Sequence, residues 1–203
     1  MREDKSTFSA VILAAGESKR FGSPKQLADF NGEPLLVSVI NKVLACKVEP
    51  YVALGANFEL ISSHQDMQLF NHLIIPVKKW ALGLSESIKE SIAFLDDKQS
   101  SGIVFLLGDQ PLIDTDYLMA FFSRVEQSPS TLICTRYESE LGESIGIPAY
   151  FPKTYFKELV ELEGDHGAKM VLKNNIPLIL NCSGRLLDID EPEDLAHARL
   201  LLD

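Results

Sequence analysis

The chain has 203 residues, 46% of them hydrophobic and 24% charged, which is the size and balance of one globular domain. A domain of that length buries roughly 70% of its unfolded surface, so it needs neither disulfides nor a structural metal. A formal net charge of -10 repels phosphate backbones and argues against general nucleic-acid binding.

Cys46, Cys134 and Cys182 match no CxxC or zinc spacing and read as free thiols among apolar neighbours, which suits a reducing compartment. Met1 to Thr7 is charged. The apolar run after it, Phe8 to Ala15, is too short for a membrane span and lacks a signal-peptide cleavage pattern. The sequence therefore predicts a cytoplasmic protein that does not engage a membrane.

In chain order, Ser9 to Ala15 is an unbroken apolar run, as expected of a strand buried on both faces. Pro34 to Cys46 has apolar residues at helical spacing, with proline at the first helical position. Tyr51 to Leu54 is the second strand, Phe58 to Phe70 a helix, and Leu73 to Val77 the third strand. Leu84 to Leu95 is an amphipathic helix with Ile88, Ile92 and Leu95 on one face. Gly102 to Leu107 is the strongest strand pattern and runs into Gly108-Asp109. Asp114 to Val125 is the next helix, its first turn rich in acids that suit the helix dipole.

Thr131 to Arg136 and Gly146 to Phe151 read as strands, with the polar segment Tyr137 to Ser144 between them as a turn. Pro152 to Leu162 and Ala168 to Asn174 are short helices, Leu178 to Asn181 a strand, and Pro192 to Leu202 the closing helix. Alternation of buried strands and amphipathic helices predicts an α/β fold, a Rossmann-like, doubly wound and mostly parallel sheet with helices on both faces. One domain spanning 1–203 is expected, with a first half to about residue 110 and a second half from about residue 111. Ligands of such sheets sit at the carboxyl ends of the strands, so the segments after the strands carry the argument.

The first strand ends in Leu13-Ala-Ala-Gly-Glu-Ser-Lys-Arg-Phe-Gly-Ser-Pro-Lys25. Small residues at Ala14, Ala15 and Gly16 admit a ligand close to the backbone, whose N–H groups can cradle anionic oxygens. Arg20 and Lys25 add positive charge, one as a fork and the other as a mobile point charge. The spacing is neither the GxGxxG dinucleotide pattern nor the GxxxxGK[ST] P-loop.

A second element, Leu106-Leu-Gly-Asp-Gln-Pro111, follows the buried strand. Asp109 there can present a carboxylate to Mg²⁺ and phosphate, or cap the turn that follows. A third, Leu187-Asp-Ile-Asp-Glu-Pro-Glu-Asp-Leu195, puts Asp188 and Asp190 on one face of an extended stretch. Asp188 is the first choice to complete a metal site with Asp109, and Asp190 the second. The remaining acids suit the cap and first turn of the last helix, with Pro192 at its first position.

These three elements, in this order, resemble the MobA-like nucleotidyltransferase superfamily and within it the molybdenum cofactor cytidylyltransferase (MocA-like) branch. Two further segments are similar to loops of that branch: Trp80-Ala-Leu-Gly-Leu-Ser-Glu-Ser-Ile88 and Gly164-Asp-His-Gly-Ala-Lys169. The resemblance implies that Leu13 to Gly16, Arg20 and Lys25, with Gly83, Ser85, Ser87 and Gly108, bind the nucleotide. It makes Lys25, Asp109 and Arg20 the catalytic residues, and Asp109 and Asp188 the holders of Mg²⁺. Gly164, Asp165, His166 and Asp190 would face the acceptor.

The implied reaction transfers CMP from CTP, or another nucleoside monophosphate, to the phosphate of a molybdopterin-type acceptor and releases pyrophosphate. The preference for a pyrimidine rests on the Leu-Ala-Ala-Gly form of the first loop. A molybdoenzyme or its chaperone is the implied downstream partner. Glu86, Ile147 and His166 depart from the branch pattern in segments that would face base or acceptor. They keep open a sugar or polyol phosphate acceptor, or a catalytically idle chaperone that binds the molybdenum cofactor.

Overall fold

The computed structural model describes residues 8–97, 99–139, 142–182 and 186–202. The charged segment Met1 to Thr7 lies outside them. In chain order the strands and helices are β1 (Ser9–Leu13), β2 (Asp29–Phe30), β3 (Glu33–Pro34), α1 (Leu35–Ala45), β4 (Pro50–Leu54), α2 (Phe58–Ser62) and β5 (Ile74–Pro76). They continue with α3 (Leu84–Leu95), β6 (Gly102–Leu107), α4 (Thr115–Gln127), β7 (Ile133–Ser139), β8 (Gly142–Pro152), α5 (Phe156–Val160), α6 (Lys169–Asn174), β9 (Leu178–Asn181) and α7 (Pro192–Leu200). None of the described helices is long and apolar enough to cross a membrane.

Seven strands form one sheet in the order β5-β4-β1-β6-β8-β7-β9. β5, β4, β1 and β6 run parallel to one another, β8 runs antiparallel between β6 and β7, and β9 is parallel to β7. The alternation of strand side chains divides the core into two layers. Ala10 and Ile12 of β1 pack with α1 and α4, whereas Val11 and Leu13 pack with α3, α5 and α6. Helices therefore cover both faces, as the sequence pattern predicts. From β1 the chain moves to β4 on one side and later to β6 on the other. The crevice between the carboxyl ends of β1 and β6 is thus the topological switch point.

The structure corrects the reading of three segments. Phe58 to Phe70 is not one helix: α2 stops at Ser62, and a 3₁₀ turn at Gln68–Leu73 follows a bend. Side-chain bonds at the break, from Ser63 Oγ to the Leu60 carbonyl and from Gln68 Nε2 to that of Ser63, offer the backbone an alternative to the helix. Tyr137 to Ser144 is not a turn but mostly paired strand, Tyr137 opposite Ser144, with 140–141 outside the described residues. Pro34 precedes α1 as its cap rather than occupying the first helical position. It belongs to the short β2–β3 ribbon, turned by Asn31 (φ 56°) and Gly32 (φ 93°), the residue pair that two-residue hairpins favour.

A third, smaller cluster ties this ribbon to the last helix. Phe30 and Leu35 meet Ile189, Leu195 and Ala198, with Ile189 fully buried. Ile189 N–H also donates to the Asp109 carbonyl at 2.9 Å. One apolar side chain and one backbone bond thus fasten the segment before α7 against the end of β6, with Asp188 and Asp190 on either side of the anchor. Ile189→Ala is expected to cost about 2–5 kcal/mol of stability. Urea unfolding should show a lower midpoint at unchanged slope, and an unchanged midpoint would show that this anchor is dispensable.

Candidate functional site

The loop after β1 keeps its shape through bonds that small residues leave room for. Ala14 N–H donates to the Ala53 carbonyl and Ala56 N–H to that of Ala15, so the start of the loop is tied to the end of β4. Gln26, buried in a 3₁₀ turn at Lys25–Leu27, donates through Nε2 to the carbonyls of Ala14 (2.9 Å) and Gly16 (3.0 Å). Ser18 Oγ accepts from Lys25 N–H and donates to Gln26 Oε1. Gly16 lines the cleft and a Cβ on it would meet no protein atom, so a ligand has free access to the backbone there.

The cleft has a volume of about 640 Å³. Leu13 to Arg20, Lys25 and Gln26 form one wall, Leu107 to Asp109 the base, and Trp80, Gly83, Leu84, Ser87 and Asp165 the other side. Trp80 packs so closely over Gly55 that a Cβ on Gly55 would collide with it. Gly83 (φ 109°) needs its glycine twice over, for its backbone conformation and because a Cβ would strike the Gly164 carbonyl. Ser85 N–H donates to that carbonyl at 3.1 Å. The segments 80–87 and 164–169, far apart in sequence, are therefore one wall. Ser85 itself is fully buried, and its hydroxyl is not among the groups lining the cleft.

At the base, Lys25 Nζ lies 2.7 Å from Asp109 Oδ2 and 3.0 Å from Asp190 Oδ1. Arg20 donates to the other oxygen of Asp190 at 2.7 Å. Burial works to lower the Lys25 pKa, but the two carboxylates outweigh it and hold the ammonium above its ordinary value. For Asp190 burial acts upward, and Lys25 and Arg20 together overcome it and hold the carboxyl below the usual range. Asp188 behaves oppositely. The residue is exposed overall, yet its carboxyl lies among enough protein that burial, and then the charge of Asp109, push its pKa up. Its partner is Gln110, whose Nε2 donates at 2.8 Å.

The structure thus brings Arg20, Lys25, Asp109 and Asp190 into one hydrogen-bonded group, with Asp188 beside it. Gly164 and Asp165 stand against the nucleotide-side loop at Gly83, and His166 lies in the exposed stretch that follows. The sequence reading did not single out Gln26 and Gln110, which position the loop and Asp188. No motif marks them, since a buried glutamine beside a charged residue has no periodic signature.

The donor set suits a hard cation. Asp109 Oδ1 is buried without a hydrogen-bond partner. Among the described residues no group of three or more His, Cys, Asp or Glu is arranged to hold a metal. A site that offers one or two carboxylates is compatible with Mg²⁺, which keeps waters and takes substrate phosphate oxygens, and not with a structural zinc.

Residues 10–178 match the model of the MobA-like NTP transferase domain. The chain belongs to that family. It is a nucleotidyltransferase of the MobA-like type. It is 28% identical over 206 residues to the purine catabolism protein PucB of Bacillus subtilis, covering 93% of this chain and 94% of PucB. To a probable molybdenum cofactor guanylyltransferase of Thermococcus sibiricus it is 31% identical over 127 residues, 61% of this chain and 58% of that one. The solved structure of Rv0371c from Mycobacterium tuberculosis superposes with a TM-score of 0.79 at 27% identity, covering 97% of this chain and 98% of that one. A manganese complex of Rv0371c gives 0.70 at 26% identity, with the same coverage.

Replacing Gln26 by Met, linear and of similar length but without the amide, strands the Ala14 and Gly16 carbonyls. The expected loss is about 1–3 kcal/mol by urea unfolding. A variant as stable as the parent would show that these two bonds do not hold the loop.

Proposed function

We propose that the chain transfers CMP from CTP to the phosphate of a molybdopterin-type acceptor and releases pyrophosphate. The observation that carries this reading is the meeting of Lys25, Arg20, Asp109 and Asp190 where the glycine-containing loop faces the cleft, in a chain of this family. In this reading the half up to about residue 110 binds nucleotide and the half beyond binds acceptor.

The loop from Leu13 to Gly16 receives the triphosphate, on the backbone N–H groups of Ala15 and Gly16 since that of Ala14 is committed to the Ala53 carbonyl, and Gly83, Ser87 and Gly108 contact the nucleotide. Ser85 supports that wall from behind. Asp109, with Asp188 beside it, would hold Mg²⁺, which when bound supplies charge neutralisation at the phosphates. An acceptor phosphate is already ionised at neutral pH, so no protein base is needed to make the nucleophile. An acceptor oxygen attacks the α-phosphorus, the bond to the β-phosphate oxygen breaks, and that electron pair leaves on pyrophosphate. Arg20 and Lys25 stabilise the leaving charge as it develops, which is where catalysis by positioning and electrostatics acts. Asp165, at the edge of the cleft, with Gly164 and His166 next to it, faces the acceptor.

A guanylyl donor is the second reading, favoured by the likeness to the Thermococcus relative. Pyrophosphate release, measured with molybdopterin and Mg²⁺ and with CTP or GTP as donor, tests both. CTP should outpace GTP, and Asp109→Asn should lose at least about 100-fold in rate while unfolding at a similar urea concentration. Full activity of a folded Asp109→Asn variant would remove Asp109 from the mechanism. Faster turnover with GTP would replace the cytidylyl reading by the guanylyl one, and release with sugar phosphates only would discard the pterin acceptor.

A further inference from the structure

A second cavity, of about 340 Å³, is lined by Arg136, Glu143, Ser144, Ile145, Lys169 and Lys173. Strand register puts it at the same end of the sheet as the nucleotide cleft. β6 pairs with β8 up to Phe105 opposite Ala149, and each strand then continues toward that end, β6 to Asp109 and β8 back to Ile145. Arg136 of β7 lies opposite Ile145. Since β8 separates β7 from β6, the cavity is displaced sideways from Asp109 by roughly 10 Å, two strand spacings.

Its cations are held on rigid supports. The Arg136 backbone pairs with β8 on one side and with β9 on the other, where its carbonyl accepts from Cys182 N–H at 2.8 Å. Lys169 and Lys173 stand one helical turn apart on α6, which Val171 and Leu172 anchor in the core. Like charges at that spacing repel each other across a helix face. Against three cations, the described residues of the lining set one carboxylate, Glu143, at 3.7 Å from Arg136 Nε, and Lys169 Nζ donates to Ser144 Oγ at 2.7 Å. A concentration of positive charge in a chain of net charge -10 is an electrostatic setting for an anion. The loop that supplies Asp165 to the nucleotide cleft leads directly into Lys169, so the same stretch of chain lines both cavities.

We propose that Arg136, Lys169 and Lys173 form a binding site for a second oxyanion of the acceptor, separate from the phosphate that reacts. The proposal rests on the reading of the second half as the acceptor-binding half. It describes an acceptor charged at both ends and disfavours a sugar phosphate whose far end is neutral.

Inorganic phosphate serves as the probe, titrated calorimetrically into the full chain with Mg²⁺ and saturating CTP. Wild type should bind phosphate saturably, and the Arg136→Ala/Lys173→Ala double variant about tenfold more weakly, with CTP affinity unchanged. Glu143→Gln, which removes the carboxylate paired with Arg136, should tighten phosphate binding about threefold, a gain that misfolding cannot produce. Absence of saturable phosphate binding in wild type, or equal affinity in all three proteins, would overturn the proposal. If CTP itself does not bind, the nucleotide reading fails, and the same comparison of phosphate affinities without CTP still decides whether the basic cavity takes an anion.

Discussion

Two carboxylates, Asp109 and Asp190, share one site beside the carboxyl end of β6, and like charges that share a site repel unless a cation intervenes. Lys25 supplies that cation. Its ammonium bridges Asp109 and Asp190, contributed by segments far apart in sequence, and only 15% of its side chain is exposed. Arg20 adds a second clamp on Asp190 from the solvent side. The geometry of the cleft depends on this ion group, because it fixes the loop after β1 against the end of β6 and against the approach to α7. Backbone and apolar contacts then hold the same three segments: Gly108 N–H to the Leu13 carbonyl, Ile189 N–H to that of Asp109, and Ile189 in its cluster.

The arrangement also carries the proposed chemistry. A lysine already positioned beside two carboxylates is at hand for phosphate oxygens once a cation shares those carboxylates. Asp190 enters this group as the counter-ion of Lys25 and Arg20, whereas Asp188 has a raised pKa and accepts from Gln110. The two acids lie one residue apart and have opposite electrostatic surroundings. Sequence spacing puts both on one face; the direction from which Lys25 and Arg20 arrive gives them different partners.

Much of the fold was legible because buried parallel strands leave continuous apolar runs. β6 and β9 have the predicted bounds, as does α3 with its apolar stripe. The β7–β8 hairpin was misread because Tyr137 to Ser139 and Gly142 to Ser144 pair through their backbones, while the polar sequence there carries no two-residue apolar rhythm. The β2–β3 ribbon left a signal, Asn31-Gly32, that the helical pattern beginning beside it obscured. In the site, loop motifs led to Lys25 and Asp109. The supports, Gln26 and Gln110, act through single hydrogen bonds to partners that only the fold brings near.

The central claim is that Lys25, which balances the acids in the free chain, serves the outer phosphates of the nucleotide. Calorimetric titration of CTP and of CMP into wild type and Lys25→Met, all with Mg²⁺, tests it most directly. The account predicts that the substitution weakens CTP binding at least about tenfold more than CMP binding, as expected for a lost charge-assisted contact to the β- or γ-phosphate. Equal losses for the two nucleotides would contradict it and leave Lys25 as a structural counter-ion of Asp109 and Asp190.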